Sequence, residues 1–271
     1  MTLSKEFGAW NLGFVWDLEF GIWNFVGVKA FDFSRPCSPE PHTWPIVEYI
    51  GVTMERQPIL MDIQVQRDIF VPGGALYAPE HRKAAANIYR LFDWAKAGGV
   101  PVISSILLVR AGRRGPLSEK PHCVEGTPGE QKLARTLLPR RLNMGFSHNA
   151  DLPRDVFSQV QQVIFESRDV DLFNHARFER LITELPEPCD FVLCGSSIAL
   201  GIKQAVLGLR NRGHGIVIAE DAVVDLGHPL AEMSWLQILA KSARPLPTVQ
   251  IIHELPLPRR RVQIAQHVAT E

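Results

Sequence analysis

Short apolar runs alternate with amphipathic segments along most of the chain after Pro58. The first pair is the run PILMDI at 58–63 and a helical pattern at 79–99, which ends at a Gly-Gly pair. Further strands are predicted at 100–109, 162–167, 190–195, 215–222 and 248–255, and further helices at 174–185, 198–213 and 229–242. This alternation predicts an α/β fold, a three-layer α/β/α sandwich around a mainly parallel sheet.

Charge and cysteine content bear on the class of protein. The chain has 29 basic and 29 acidic residues, so its formal net charge is zero and no nucleic-acid partner is expected. No window holds the roughly 18 uncharged apolar residues of a membrane span, so neither a span nor a signal peptide is expected. The cysteines form no CxxC pair, which favours a reduced, cytoplasmic protein; they are Cys37, Cys123, Cys189 and Cys194.

Composition divides the chain into three predicted parts. Residues 1–56 are an aromatic-rich arm with a proline-rich connector, 57–257 form the α/β domain, and 258–271 are a basic tail. Aromatic surface of this extent has to be buried on its own chain or on another subunit. We expect a homo-oligomer to which the arm contributes, and a ligand-binding lid is the alternative.

Polar residues follow several of the predicted strands. Ligands of parallel α/β sheets bind beyond the carboxyl ends of the strands, which here are 62–64, 104–105, 167–168 and 195–201. Asp62 ends a buried run, where a carboxylate is costly to desolvate without a partner or a function. A structural cap of the following turn is the alternative for Asp62.

Five segments, in this order, resemble motifs of the isochorismatase-like superfamily, which includes nicotinamidases and other cysteine hydrolases. They are LMDIQVQRDIFVPGGAL (60–76), HCVEGTPGEQKL (122–133), VIFESRDVDLF (163–173), VLCGSSIALGIKQAV (192–206) and IVIAEDAV (216–223). The resemblance covers about residues 57–255 and implies a Rossmann-like hydrolase that acts on a small molecule.

The resemblance also implies a catalytic triad of Asp, Lys and Cys, of which this chain keeps one member. The acid falls on Asp62, the lysine position is Ser167, and the cysteine position is Gly201. A thioester intermediate is therefore not expected. Isochorismatases of this superfamily also have glycine at the cysteine position, so Asp62 could still act as an acid. Those enzymes keep the lysine, and without a nearby ammonium, desolvation should favour the neutral form of Asp62, unless Arg168 or Arg110 supplies the charge.

The resemblance and the strand-end positions together predict a set of substrate-binding residues. They are Gln64, Phe70, Arg168, Gly195, Ser196, Ser197 and Leu200. Backbone amides of the turn at 196–200 are expected to hold an anionic group. Ser196 and Ser197 are interpreted as helix-capping residues, and Cys194 as a core residue.

No metal or other cofactor is expected. Nicotinamidases carry an Asp-x-His and a further histidine after the second strand, and SILLVRAGRRG at 105–115 has no such ligands. His122 is interpreted as structural.

Two functions remain open from the sequence. The first is a small-molecule hydrolase, or related lyase, that uses Asp62 as general acid or base with water. The second is a catalytically inactive pseudoenzyme that binds a metabolite or serves as a scaffold.

Overall fold

The structure is a computed structural model that describes residues 56–146, 149–185 and 188–255. Apart from Arg56, the predicted N-terminal arm lies outside the described residues, as does the basic tail. The predicted domain boundaries therefore stay predictions.

Seven parallel strands form one sheet in the described part of the chain. They are β1 (Pro58–Ile63), β2 (Val102–Leu107), β3 (Arg141–Asn143), β4 (Gln162–Ser167), β5 (Asp190–Ser196), β6 (Gly215–Val224) and β7 (Arg244–Leu246). Their order across the sheet is β3-β4-β2-β1-β5-β6-β7. All six residues of the central strand β1 are buried. The predicted α/β fold is confirmed.

Helices cover the sheet. They are α1 (Arg67–Phe70), α2 (His81–Gly98), α3 (Val156–Gln159), α4 (Ala176–Thr183), α5 (Lys203–Asn211), α6 (Ala231–Ala240) and α7 (Thr248–Glu254). A π-helical turn, Ile198–Ile202, leads directly into α5. Among the described helices, none is long and apolar enough to cross a membrane.

Two hydrophobic cores lie on opposite faces of the sheet. The front core joins strand residues to α2 and α7, and includes Leu60, Val102, Val192, Ile88, Leu91 and Ile251. The rear core joins them to α4, α5 and α6, and includes Met61, Ile63, Ile103, Phe165, Phe178, Val206 and Ile238. Successive strand residues point to opposite faces, so Asp62 lies on the same face as Leu60, the front.

The prediction of a strand at 248–255 is wrong, because this segment forms α7. Its β-branched residues are typical of a strand, but the backbone N–H and the hydroxyl of Thr248 both donate to Asp221 Oδ1, at 2.8 and 2.6 Å, where the helix begins. Ile251 then enters the front core from the helix. The strand that pairs with β6 at this end is β7, which the sequence pattern did not indicate.

Candidate functional site

Asp62 is the penultimate residue of β1 and is completely buried. In the sheet register it lies between Ser104 of β2 and Cys194 of β5. One carboxylate oxygen accepts a hydrogen bond from the Ser104 hydroxyl, and the other accepts one from the Lys132 ammonium. Burial raises the pKa of the Asp62 carboxyl, while the attraction of Lys132 and the two hydrogen bonds act in the opposite direction.

Lys132 is the site residue that the sequence reasoning missed. The sequence indicated no ammonium near Asp62 and named Arg168 and Arg110 as the possible sources of a positive charge, whereas the structure places Lys132 against its carboxylate. Its side chain is 2% exposed and its nitrogen lies 5.5 Å from the centre of the Phe92 ring. The sequence feature that could have pointed to Lys132 is its position at the end of the family-like segment HCVEGTPGEQKL.

Backbone and glutamine contacts hold the Lys132 loop against the sheet. The Leu133 N–H donates to Val65 O at 3.2 Å, and the Arg67 N–H donates to Gln131 O at 2.9 Å. The buried Gln66 side chain donates to Leu107 O and to Glu130 O, both at 2.8 Å. The lysine is therefore fixed by its backbone as well as by Asp62.

A second glutamine extends the network behind Ser104. Gln162 Nε2 donates to the Ser104 hydroxyl and to Thr136 O, both at 2.8 Å. Its Oε1 accepts from the Leu138 N–H at 2.7 Å. Asp62, Lys132, Ser104 and Gln162 thus form one buried network in which both carboxylate oxygens are used.

Gly201 is packed too closely for a side chain. A Cβ atom at this position would lie 2.7 Å from Ile63 Cγ2, 3.1 Å from Ser196 O and 3.4 Å from Gln64 Nε2. A cysteine here would require Ile63 to move.

Ser167, at the predicted lysine position, ends β4 and is buried. Its hydroxyl accepts the N–H of Asp169 at 3.0 Å, a contact within its own loop. It therefore serves the turn that follows β4.

The turn after β5 requires glycine at its first position. Gly195 has a φ of 112°, and a Cβ there would lie 2.1 Å from Ile63 O. The N–H groups of Leu200 and Ile202 donate to Ser197 O at 3.2 and 3.0 Å, so these two amides are not free for an anion. The interpretation of Ser196 and Ser197 as capping residues is wrong, because neither hydroxyl accepts from a backbone N–H of the following helix. The Ser196 hydroxyl donates to Gln64 O at 3.5 Å, and the Ser197 hydroxyl is buried with no partner among the described residues.

The other predicted binding residues fall into two environments. Phe70 is 3% exposed and belongs to the front core, where its ring lies 6.1 Å from that of His81, and Leu200 packs against the same core. Gln64 and Arg168 each follow directly on a strand and carry buried polar atoms that have no partner in the described part of the chain: Oε1 of Gln64, and Nε and Nη1 of Arg168.

The family model of the isochorismatase domain matches residues 58–248, most of the chain. The chain belongs to the isochorismatase family. No curated protein matches it.

Solved structures of isochorismatase-family proteins share the fold. Nicotinamidase/pyrazinamidase from Bacillus subtilis is 17% identical with a TM-score of 0.54, over 70% of this chain and 98% of that one. An isochorismatase family protein from Desulfovibrio vulgaris gives 17% and 0.54, over 72% and 96%. N-carbamoylsarcosine amidase from Thermoplasma acidophilum gives 15% and 0.51, over 71% and 96%. At these identities the likeness establishes the fold.

Within this isochorismatase-family fold, Cys194 is the thiol next to Asp62 in the sheet register. It is completely buried, and burial together with the nearby Asp62 carboxylate raises its pKa well above the ordinary value. A thiol in that environment stays protonated at neutral pH and is a poor nucleophile.

No group of three or more histidine, cysteine or acidic side chains suited to a metal occurs among the described residues of this isochorismatase-family chain. Both ring nitrogens of His122 are used by its own loop: Nδ1 lies 2.7 Å from Lys120 O, and Nε2 accepts from the Leu117 N–H at 3.3 Å. These contacts support a structural role for His122.

Proposed function

We propose that this chain is a small-molecule-binding member of the isochorismatase family that does not turn its ligand over through a covalent intermediate. The observation that carries the proposal is a set of buried, unpartnered polar atoms at the carboxyl edge of the sheet, on Gln64, Arg168 and Ser197.

Each of these residues is the first one after a strand: Gln64 after β1, Arg168 after β4 and Ser197 after β5. A buried polar atom without a partner costs about 1–3 kcal/mol. Such atoms usually have a partner in a ligand or an ordered water. The carboxyl edge of a parallel sheet is also where α/β proteins bind ligands. A polar ligand at this edge would satisfy all three groups.

The arrangement around Asp62 favours binding without covalent catalysis. The neighbours of Gly201 leave no space for a nucleophilic side chain, and the Cys194 thiol is buried with a raised pKa. Both oxygens of Asp62 are used by Lys132 and Ser104.

A hydrolase or lyase that uses Asp62 as general acid or base is the second candidate. The contact between Lys132 and Asp62 favours it, because an ammonium beside a buried carboxylate is the charge partner that proton transfer there would need. Water would be the nucleophile in this candidate, because the Cys194 thiol beside Asp62 is buried with a raised pKa and Gly201 carries no side chain.

Turnover and binding assays on the same samples separate the two candidates. Wild type, Asp62→Asn and the exposed-site control Asp93→Asn are incubated with isochorismate, nicotinamide and a panel of small amides, and binding is followed by calorimetry. We expect at least one compound to bind, and we expect no turnover that is lost in Asp62→Asn. Turnover by wild type and Asp93→Asn, but not by Asp62→Asn with native circular dichroism, would establish an enzyme that depends on Asp62. A panel with no bound compound would contradict the binding proposal.

We also propose self-association in the cytoplasm, with a contribution from the aromatic arm, which lies outside the described residues. Sedimentation of the full chain is expected to give an oligomer, and replacement of Trp10, Trp16 and Trp23 by alanine is expected to weaken it. A monomeric wild type would contradict this proposal.

A further inference from the structure

We propose that Arg168 binds the acidic group of the ligand, and that the ligand is a small carboxylate with an N–H donor at its other end. This inference rests on the proposed function, because it assigns a ligand class to the same sheet edge.

Arg168 uses little of its hydrogen-bonding capacity. Its Nη2 donates to Glu125 Oε2 at 2.9 Å, and the face of the guanidinium lies 4.8 Å from the centre of the Phe146 ring. Nε and Nη1 are buried, and no described residue accepts from them. A guanidinium has N–H donors and no acceptor, so only an acceptor can satisfy Nε and Nη1.

The neighbouring acidic residues are already used elsewhere. Asp169 accepts from the Asp171 N–H at 3.1 Å and from Asn174 Nδ2 at 2.7 Å. Glu125 is about half exposed and pairs with a single nitrogen of Arg168. The acceptor for the two remaining nitrogens therefore comes from outside this loop, and the planar guanidinium is suited to a carboxylate.

The opposite requirement holds at Gln64. Its unpartnered atom is Oε1, an acceptor, so the ligand has to present a donor there. In the sheet order β2 separates β4 from β1. At about 4.8 Å between neighbouring strands, the residues after β4 and β1 start about 10 Å apart. A ligand whose carboxylate and amide are joined by a few methylenes is of this order of length.

Matched pairs of acid and amide test the inference. Calorimetry compares succinamate with succinamide, and adipamate with adipamide, on wild type, Arg168→Gln, Arg168→Lys and Glu125→Gln, each checked for native circular dichroism. We expect wild type to bind one of the acids at least about tenfold more tightly than its diamide, the ratio for one charge-assisted hydrogen bond. Arg168→Gln should lose this preference and Arg168→Lys should keep part of it. Glu125→Gln, which removes the competing carboxylate, should retain it.

Two results would overturn the inference while the proposed function stands. One is equal affinity of wild type for an acid and its diamide, and the other is an acid preference that survives in Arg168→Gln. Binding of none of the four compounds by wild type would also reject this ligand class. The wider panel of the turnover and binding assays then decides the proposed function independently.

Discussion

Lys132 reaches the carboxylate of Asp62 from a loop 70 residues further along the chain, and both side chains are almost completely buried. The contact attaches the loop to the central strand of the sheet at the position where relatives are expected to have their catalytic acid. With Ser104 on the other oxygen, the carboxylate is held on both sides. The contacts that would keep Asp62 ionised for catalysis therefore also hold the loop to the sheet. Substitutions of these residues measure how much the contacts contribute to the free energy of unfolding.

Removing one member of this pair should destabilise the protein strongly. Asp62→Asn leaves the Lys132 ammonium buried without a counter-charge, and breaking a buried pair from one side costs about 3–5 kcal/mol. The double variant Asp62→Asn/Lys132→Met should lose less than the sum of the single variants, because no unpaired charge remains. Urea unfolding of the four proteins measures the coupling. The exposed pair Arg135–Asp93, whose side chains are 62% and 68% exposed, serves as control, with an expected coupling of about 0–1 kcal/mol.

The stability of the Lys132→Met variant should also depend more strongly on pH than that of wild type. Burial raises the pKa of Asp62, and Lys132 is the group that chiefly opposes this effect. Without Lys132 the folded pKa rises further above the unfolded one, so the folded state favours the protonated carboxyl. The stability of Lys132→Met should therefore fall as pH rises from about 4 toward neutral, more steeply than that of wild type. Parallel stability curves for the two proteins would contradict this explanation.

The described cysteines should be unreactive in the native protein. Cys123, Cys189 and Cys194 are all buried, and burial raises the pKa of both Cys123 and Cys194. In a Cys37→Ser background, which removes the thiol outside the described residues, a disulfide reagent at about pH 8 should modify none of them rapidly. All three should react once guanidinium unfolds the protein. Rapid native modification that Cys194→Ala abolishes would show an accessible thiol beside Asp62.

The layered fold follows from local pattern, and its exceptions follow from tertiary contacts. Short apolar runs located β1, β2, β4, β5 and β6 with small boundary errors. The β-branched residues after Pro247 indicated a strand, but the contacts of Thr248 with Asp221 started a helix. The short edge strands β3 and β7 have three residues each, too few for periodicity to identify.

The candidate site was predictable where it depends on strand ends and unpredictable where it depends on a loop. Asp62 was placed by the buried run before it, since a strand residue followed by a turn needs no long-range information. Lys132 was not, because its position in the segment HCVEGTPGEQKL does not by itself show that its ammonium crosses to β1. Gly201 was identified by resemblance, and only the packing of Ile63 shows that the position has no room for a larger residue.

His214 should make the protein less stable in mild acid. Its Nδ1 accepts the Cys189 N–H at 3.1 Å, which requires a neutral ring. Burial, followed by the charges of Arg56 and Arg212, lowers its pKa from the ordinary value of 6.5. The unfolded chain then binds a proton that the folded one does not, so stability should fall as pH drops below about 6.5, by at most about 1.4 kcal/mol per pH unit.

His214→Asn tests this effect, because asparagine keeps an acceptor for Cys189 but does not titrate. Urea midpoints at about pH 7.5 and pH 5 should differ less in His214→Asn than in wild type. His253→Asn, at an exposed position on α7, should leave the wild-type difference unchanged. An equal acid loss in wild type and His214→Asn would exclude His214 as its source.

Gly201→Ala tests the packing at the position where a cysteine would be expected. Alanine is favoured over glycine within a helix by about 1 kcal/mol, so with free space around Gly201 the substitution would stabilise the protein. The contact of its Cβ with Ile63 Cγ2 predicts the opposite sign, a loss of about 1–3 kcal/mol in urea unfolding. Ile63→Ala alone should cost about 2–5 kcal/mol by leaving a cavity.

In the double variant the alanine methyl at 201 occupies part of that cavity, so the combined loss should be at least about 0.5 kcal/mol smaller than the sum. Val249→Ala, at a side chain that is 59% exposed on α7, should add to Gly201→Ala without coupling. A Gly201→Ala protein as stable as wild type, or additive losses with Ile63→Ala, would mean that Ile63 does not close this position. The absence of a nucleophile would then reflect only the missing thiol, and Gly201→Cys would become the variant to assay for amide hydrolysis.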